Sequence, residues 1–301
     1  MADIELPFEA YEAYFLSRRE YSRVADWTDR VICESLNHAE SCVVTLTYND
    51  QHLPAHGWLC KRDLQLFFKR VRKVYKIRYF ACGEYGSKGQ RPHYHVIIFG
   101  WCPKDIQYFF YRDGVRYYLS LEMQRFWSIF HRKDKEHYSD WYEPIGNILV
   151  CPRLTRKVIP YTCKYMQKFN EIPIDFPRPF LVMSRKPGIG ECAINRGAVD
   201  LVTDKFYVDG KARRIPRYYL DKLYHAEVEQ KDPLVYGYDF REQQLEPIGD
   251  QLKAWKQFLR DNTLISQIRE KRRRYYSMTY LKPYDYVNKV RRFWSRKTER
   301  K

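Results

Sequence analysis

An α+β fold built around an antiparallel sheet is the class that this sequence of 301 residues predicts. Three features point there. Short runs rich in β-branched and aromatic residues recur, as in Ser41–Tyr48, Ile77–Cys82, Val96–Phe99 and Gly146–Cys151, and such runs read as strands. Glycine-containing loops join successive runs at 83–95, at Asp113-Gly114 and at Asp209-Gly210, which makes the joined strands hairpins. Between them lies a helix-period stretch, Lys61–Lys76, with apolar residues at 64, 67, 68, 71 and 75.

Taken in order, residues 1–24 form a polar lead-in with no readable pattern. Asp26–His38 places Trp27, Val31 and Leu36 near helical spacing and predicts a helix on the sheet. Ser41–Tyr48 is a central strand, apolar on both faces apart from its threonines. Thr45 and Thr47 share one face, and they are either ordinary strand threonines or neighbours of a site. The helix over 61–76 turns Lys61, Arg62, Lys69, Arg70, Arg72, Lys73 and Lys76 to its polar side, as a phosphate-tracking surface or a solvated basic face. After the hairpin of 77–100, a short strand pair around Asp113-Gly114 leads into a helix over about 120–130, and Gly146–Cys151 is one more strand. Thr155–Phe169 is a helix, beginning at Pro160 as its first residue or at Thr155 with a kink. A proline-rich connector, 172–179, precedes the strand and turn FLVMSRKPGIG. There Arg185 and Lys186 either meet a phosphate or sit in an ordinary strand exit. PRYY at 216–219 opens a mainly helical region.

Composition narrows the partners. The net charge is +17 and aromatics make up 17% of the chain. The surplus favours a polyanion, because lysine and arginine displace condensed counterions from phosphates. Aromatic rings interleaved with bases suit the exposed bases of single strands. Residues 251–301 carry 16 Lys+Arg against 4 Asp+Glu, 16 − 4 = +12, so the charge concentrates at that end. None of the eight cysteines forms a C-x-x-C pair, which disfavours zinc knuckles and fits a reducing compartment. No apolar run approaches the roughly 18 residues of a membrane span, and the acidic start lacks a signal pattern.

Chemistry concentrates in two places. On a strand, His93 and His95 point the same way. With Glu84 across the hairpin loop they make two imidazoles and a carboxylate, a donor set that leaves metal positions open for water and substrate. About seventy residues later, Tyr161 and Tyr165 are four apart and share a helix face, flanked by Lys164 and Lys168.

Glu84, RPHYH at Arg91–His95 and the paired tyrosines with an intervening lysine resemble the HUH endonucleases, and within them the replication-initiation proteins of the Microviridae, the small single-stranded DNA phages. CVVTLTYNDQHLP (Cys42–Pro54), YFACGEYGSKGQRPHYHVIIFG (Tyr79–Gly100), SRKPGIG (Ser184–Gly190) and DGKARRIPRYY (Asp209–Tyr219) carry the same resemblance in order, over roughly residues 25–225. Pro160 and Cys163 depart from the small residues expected in the helix.

The resemblance implies an HUH core, an α+β domain with a central antiparallel sheet flanked by helices. It assigns 1–200 to origin nicking and 201–301 to a basic, mainly helical accessory DNA-binding region. It implies Mg²⁺ or Mn²⁺ on Glu84, His93 and His95, with Tyr161 and Tyr165 as nucleophiles and Lys164 supplying charge beside them. Arg91, Lys168, Arg185 and Lys186 are the expected DNA contacts. The product is a 5′-phosphotyrosine, later rejoined, in rolling-circle replication. The expected setting is the host bacterial cytoplasm, with viral single-stranded and origin DNA, a host helicase and a host DNA polymerase. A plasmid-type relaxase, or a non-enzymatic single-stranded DNA-binding module with a structural metal or none, is the competing class.

Overall fold

The computed structural model describes residues 8–86, 89–133, 137, 139–155, 158–164, 175–230, 265–271, 290, 292 and 296. Two compact units divide the chain. One is Trp27–Cys192; the other joins Met1–Asp26 to Ala193–Lys301.

The Trp27–Cys192 unit is a seven-stranded antiparallel sheet. Its strands are β1 (Ser41–Thr47), β2 (Arg78–Tyr85), β3 (Pro92–Phe99), β4 (Gln107–Arg112), β5 (Val115–Leu119), β8 (Ile148–Cys151) and β9 (Phe180–Met183), ordered β4-β5-β8-β1-β3-β2-β9. A separate hairpin pairs β6 (Ser128–His131) with β7 (Trp141–Pro144). The run read as a central strand is central: β1 lies between β8 and β3. The expected turn at Asp113-Gly114 closes β4 onto β5, with both residues at positive φ (52° and 81°), the pairing that a two-residue hairpin turn requires.

Alternation along the strands gives the sheet two different faces. One face presents Val44, Leu46, Tyr94, Val96, Ile98 and Val150 to helix α2 (Lys61–Val74), which buries Leu64, Phe67, Phe68 and Val71 against them. Helix α3 (Leu121–Phe126) adds Met123 there, and Trp127, which follows it, fills the gap. A buried polar network fixes this side. The Tyr94 hydroxyl donates to Cys60 O (2.8 Å), accepts from Cys60 N (3.0 Å) and meets the Tyr48 hydroxyl at 2.8 Å, while Tyr48 donates to Asp63 Oδ2 (2.8 Å). The other face is covered by the C-terminal part of α1 (Phe8–Ser35) and by α4 (Val158–Lys164). Trp27 packs on Phe80 at 5.2 Å, and the Arg30 guanidinium lies over Trp27 at 4.0 Å.

Four sequence expectations need adjustment. The first helix starts at Phe8 rather than near Asp26; its early turns alternate acid and aromatic residues without a clean apolar stripe, so periodicity does not reveal them. The helix expected over 120–130 stops at Phe126, and Ser128–His131 pairs with β7 instead, because cross-strand partners decide strand formation more than local propensity does. The strand read over Gly146–Cys151 starts at Ile148. In the tyrosine helix, Pro160 sits within the first turn, not at its first residue, and Thr155 Oγ1 accepts from Val158 N at 3.3 Å; first-turn N–H groups have no intrahelical partner, so a proline there sacrifices nothing.

In the second unit, β10 (Val199–Asp200), β11 (Lys205–Val208) and β12 (Lys211–Arg213) form a small sheet whose β11–β12 turn is the expected Asp209-Gly210. Helix α5 (Cys192–Asn195) precedes it, and α6 (Arg217–Gln230) follows PRYY as expected. Arg214 donates to Ser22 Oγ and Asp26 Oδ1, both at 2.7 Å.

Within the Trp27–Cys192 unit, the SRKPGIG turn is latched rather than loose. Glu34 accepts from Arg78 Nε and from Gly190 N (2.8 Å), and His38 Nε2 lies 3.1 Å away. Arg78 Nη2 donates to Pro187 O and Gly188 O, and Arg30 Nε donates to Ile189 O at 3.0 Å. Burial pushes the Glu34 carboxyl up, but hydrogen bonds from Arg78, Gly190 and His38 together hold it below the usual carboxylate range. Its folded pKa therefore lies under its unfolded one. The stability it contributes is complete above the unfolded value, near pH 4–5, and is lost as pH falls through the folded value. Glu34→Gln is expected to cost about 2–3 kcal/mol at neutral pH and to flatten the acid limb of the stability curve, both measured by urea unfolding at stepped pH. A second check is Gly146, where an added Cβ would stand 1.8 Å from Thr47 O. Gly146→Ala is expected to lose more than about 3 kcal/mol, read from the urea midpoint.

Candidate metal centre and adjoining tyrosine

Pairing register builds the site. Glu84 on β2 lies directly opposite His93 on β3, Cys82 lies opposite His95, and Thr45 on β1 flanks His95 from the other side. All fall on the face that α1 and α4 cover. The three expected ligands converge: their donor atoms all lie within 4.8 Å of one another. Glu84 Oε1 is 2.8 Å from His93 Nε2 and 3.2 Å from His95 Nε2, and the imidazoles meet edge to face at 5.0 Å.

The surrounding contacts orient the donors. His93 Nδ1 faces Arg91 O at 3.1 Å. A carbonyl only accepts, so Nδ1 carries the proton and Nε2 is the nitrogen turned toward the site. His95 Nδ1 is 3.5 Å from Thr45 Oγ1, which makes Thr45 a neighbour of the site. Burial pushes the Glu84 carboxyl up, but hydrogen bonds and charge from His93 and His95 hold it below the usual range. Glu84 is 2% exposed, and its Oε2 is buried with no hydrogen-bond partner. A buried, partnerless carboxylate oxygen is costly. Two imidazole nitrogens and this oxygen, pointing into one space, fit a divalent cation.

The nucleophile candidates stand differently. Tyr161 is on α4, 54% exposed, its ring edge to face with His95 at 6.5 Å. Beside it, Thr162 and Cys163 are buried, Thr162 Oγ1 donates to Val158 O (3.0 Å), and Cys82 Sγ contacts Thr162 O at 3.9 Å. Those contacts anchor α4 on the site face. Lys164 is exposed at the last described turn of α4. Tyr165 and Lys168 lie outside the described residues. Cys82 and Cys163 are not competing nucleophiles: burial pushes both thiols up, Cys163 to about 12.

Of the expected DNA contacts, Arg91 spans Asp50 Oδ1 (2.6 Å) and Tyr48 O (3.0 Å), tying the loop after β1 to the start of the histidine strand. Arg185 and Lys186 are exposed on the latched turn after β9. The sequence reading did not single out Glu34 and Arg78, which hold that turn. Their only trace is a buried acid in a helix and an arginine at a strand start, and neither is distinctive until the two meet.

A seven-stranded antiparallel sheet that presents a carboxylate and two histidines beneath a tyrosine-bearing helix defines an α+β protein with an HUH-type core. Comparison with known proteins agrees. Residues 41–170 match the family of the replication-associated protein ORF2. The chain is 31% identical over 153 residues to the replication-associated protein ORF4 of Chlamydia phage 1, across 47% of this chain and 36% of that protein. It is 28% identical over 210 residues to the replication-associated protein VP4 of Bdellovibrio phage phiMH2K, across 64% and 60%. With the replication-associated protein ORF2 of Spiroplasma virus 4 it shares 33% over 116 residues, across 34% and 36%. It thus spans between about a third and three-fifths of these curated relatives. No solved structure matches it. The chain belongs to the phage replication-associated proteins of the Microviridae type.

If the triad binds a divalent ion, Mn²⁺ at about a hundredfold excess over its Kd raises the melting temperature by about 5 °C or more. His95→Ala abolishes the shift. An equal shift in both proteins, by differential scanning fluorimetry, would place the ion elsewhere.

Proposed function

We propose that this protein initiates rolling-circle replication by nicking and rejoining viral origin DNA through a metal-dependent tyrosine transesterification. The observation that carries the proposal is the Tyr161 ring set beside His95, on the face where Glu84 Oε2 is buried without a partner. A Mg²⁺ or Mn²⁺ ion held by Glu84, His93 and His95 supplies Lewis-acid stabilisation of charge on a non-bridging phosphate oxygen.

Tyr161 Oη, having lost its proton to solvent, attacks the scissile phosphorus. The bond from phosphorus to the 3′ oxygen breaks, and that oxygen takes up a proton as it leaves. The products are a 5′-phosphotyrosine and a free 3′-hydroxyl, which primes a polymerase. No high-energy bond is spent, so rejoining is the same step reversed. Tyr165 is the second nucleophile, attacking when the origin is regenerated. Lys164 places positive charge at the end of α4, beside the attacking oxygen or the phosphate. Arg91, Arg185, Lys186 and Lys168 hold the flanking phosphates, a role that accounts for an exposed, rigidly latched turn at Arg185-Lys186.

On this reading residues 1–200 carry the nicking activity and 201–301 add a basic DNA-binding region. The protein acts in the host bacterial cytoplasm with a host helicase and DNA polymerase; no described helix is long and apolar enough to cross a membrane.

The test is an end-labelled single strand spanning the origin of its own genome, incubated with Mn²⁺ or EDTA and resolved on a denaturing gel. The expected result is a covalent adduct with Mn²⁺ alone, retained in Tyr161→Phe and in Tyr165→Phe and lost in the double variant. Persistence in the double variant removes both nucleophiles from the account. Tight binding that ignores EDTA, with no adduct on any origin sequence, favours a binding module instead.

A further inference from the structure

The metal centre leaves unexplained the aromatic surface of the β4–β5 hairpin. Tyr108, Phe109 and Tyr111 are 62, 54 and 62% exposed, on the strand that forms one edge of the seven-stranded sheet among the described strands. Three large rings in solvent on an edge strand are a liability unless something covers them.

Register sorts the rings by face. Tyr118 pairs with Val150, and Val150 with Val44, on the face that α2 packs against. Tyr117 and Phe110, directly opposite one another, therefore fall on the same face as Glu84 and His95. Their rings stack, with centroids 4.9 Å apart and planes 25° from parallel. The register shift between Tyr108 and Phe110 leaves Phe109 unpaired, and its exposed ring lies 5.2 Å from that of Phe110. Tyr117 is also a neighbour of Tyr161: burial first, and then negative charge on Tyr161, push the Tyr117 phenol up. The stacked pair thus continues the surface that begins at Tyr161.

Charge selects the occupant. Arg112 is 76% exposed on the same face, and its nearest acid, Asp113, is 87% exposed at 3.4 Å, a contact that solvent weakens. Arg116 is exposed on the opposite face. A second copy pairing through the same edge would bring these arginines against their own kind, whereas a nucleic-acid strand offers both phosphates and stackable bases.

We propose that the β4–β5 hairpin is a single-stranded DNA platform, on which bases flanking the scissile position stack against Tyr117, Phe110 and Phe109 while Arg112 meets a phosphate. Only the strand's path past Tyr161 rests on the nicking reading; the stacking needs neither metal nor cleavage.

The test therefore omits both. The full chain in EDTA is irradiated with an oligothymidylate carrying one 5-iododeoxyuridine, and the crosslinked peptides are sequenced by mass spectrometry. Crosslinks at Phe109, Phe110 or Tyr117 are expected. In parallel, fluorescence anisotropy follows binding of unmodified oligothymidylate. The double substitution Phe109→Ala, Arg112→Ala, at two exposed positions that leave the fold intact, is expected to weaken binding about tenfold or more. Tyr117→Leu weakens it further, and Tyr117→Phe, which keeps the ring, restores it. Crosslinks confined to other segments together with unchanged affinity overturn the proposal. So does an oligomer that dissociates in the double variant while DNA affinity stays the same, since the edge would then be a self-interface. Loss of origin nicking with hairpin crosslinks intact removes the chemistry and leaves the platform standing.

Discussion

The pairing of Glu84 with His93 across β2 and β3 is the constraint on which the candidate site depends. Side chains on a strand alternate, so a slip of one residue in this pairing would move Glu84 to the α2 side and scatter the donors. Two features hold the register. Tyr94, between the two histidines, is fully buried in the opposite face and bonded to Cys60 and Tyr48. Gly83, beside Glu84, is where a Cβ would come within 3.0–3.1 Å of Leu59, Phe180 and Tyr94, so a larger residue would crowd the packing that seats Tyr94. The hydrophobic face of the sheet therefore positions the polar one.

The same division of faces explains how the remaining elements reach the site. With α2 and α3 filling one side, α1 and α4 cover the other. α4 is short in its described part, yet it is fastened by buried Thr162 and Cys163, so its exposed residues Tyr161 and Lys164 are carried on an anchored element. The turn after β9 is held by three separate donors to its carbonyls or acceptors from its amides: Arg30, Arg78 and Glu34. Arginine and lysine on such a turn face solvent without the backbone freedom that an ordinary loop would give them.

Much of this was legible in the sequence, and the reasons are physical. The strand content, the central place of β1, the α2 stripe and the hairpin turns followed from periodicity and turn chemistry. The Glu84–His93–His95 convergence followed from strand alternation plus one loop. Features that arise only in three dimensions did not show. The early turns of α1 lack an apolar stripe, and β6 exists because β7 pairs with it. The Glu34–Arg78 latch joins residues 44 apart, and the proximity of Tyr117 to Tyr161 depends on the order of strands. The second tyrosine, Tyr165, lies outside the described residues and stays a sequence-based expectation.

The most direct measurement of the central claim is pulsed electron paramagnetic resonance of the protein loaded with one equivalent of Mn²⁺. Imidazole nitrogens bound to the ion modulate the spin echo. The account predicts modulation from two histidine nitrogens, reduced to one in either His93→Ala or His95→Ala. An echo without nitrogen modulation, or one that neither substitution alters, would show that Glu84, His93 and His95 do not form the metal centre described here.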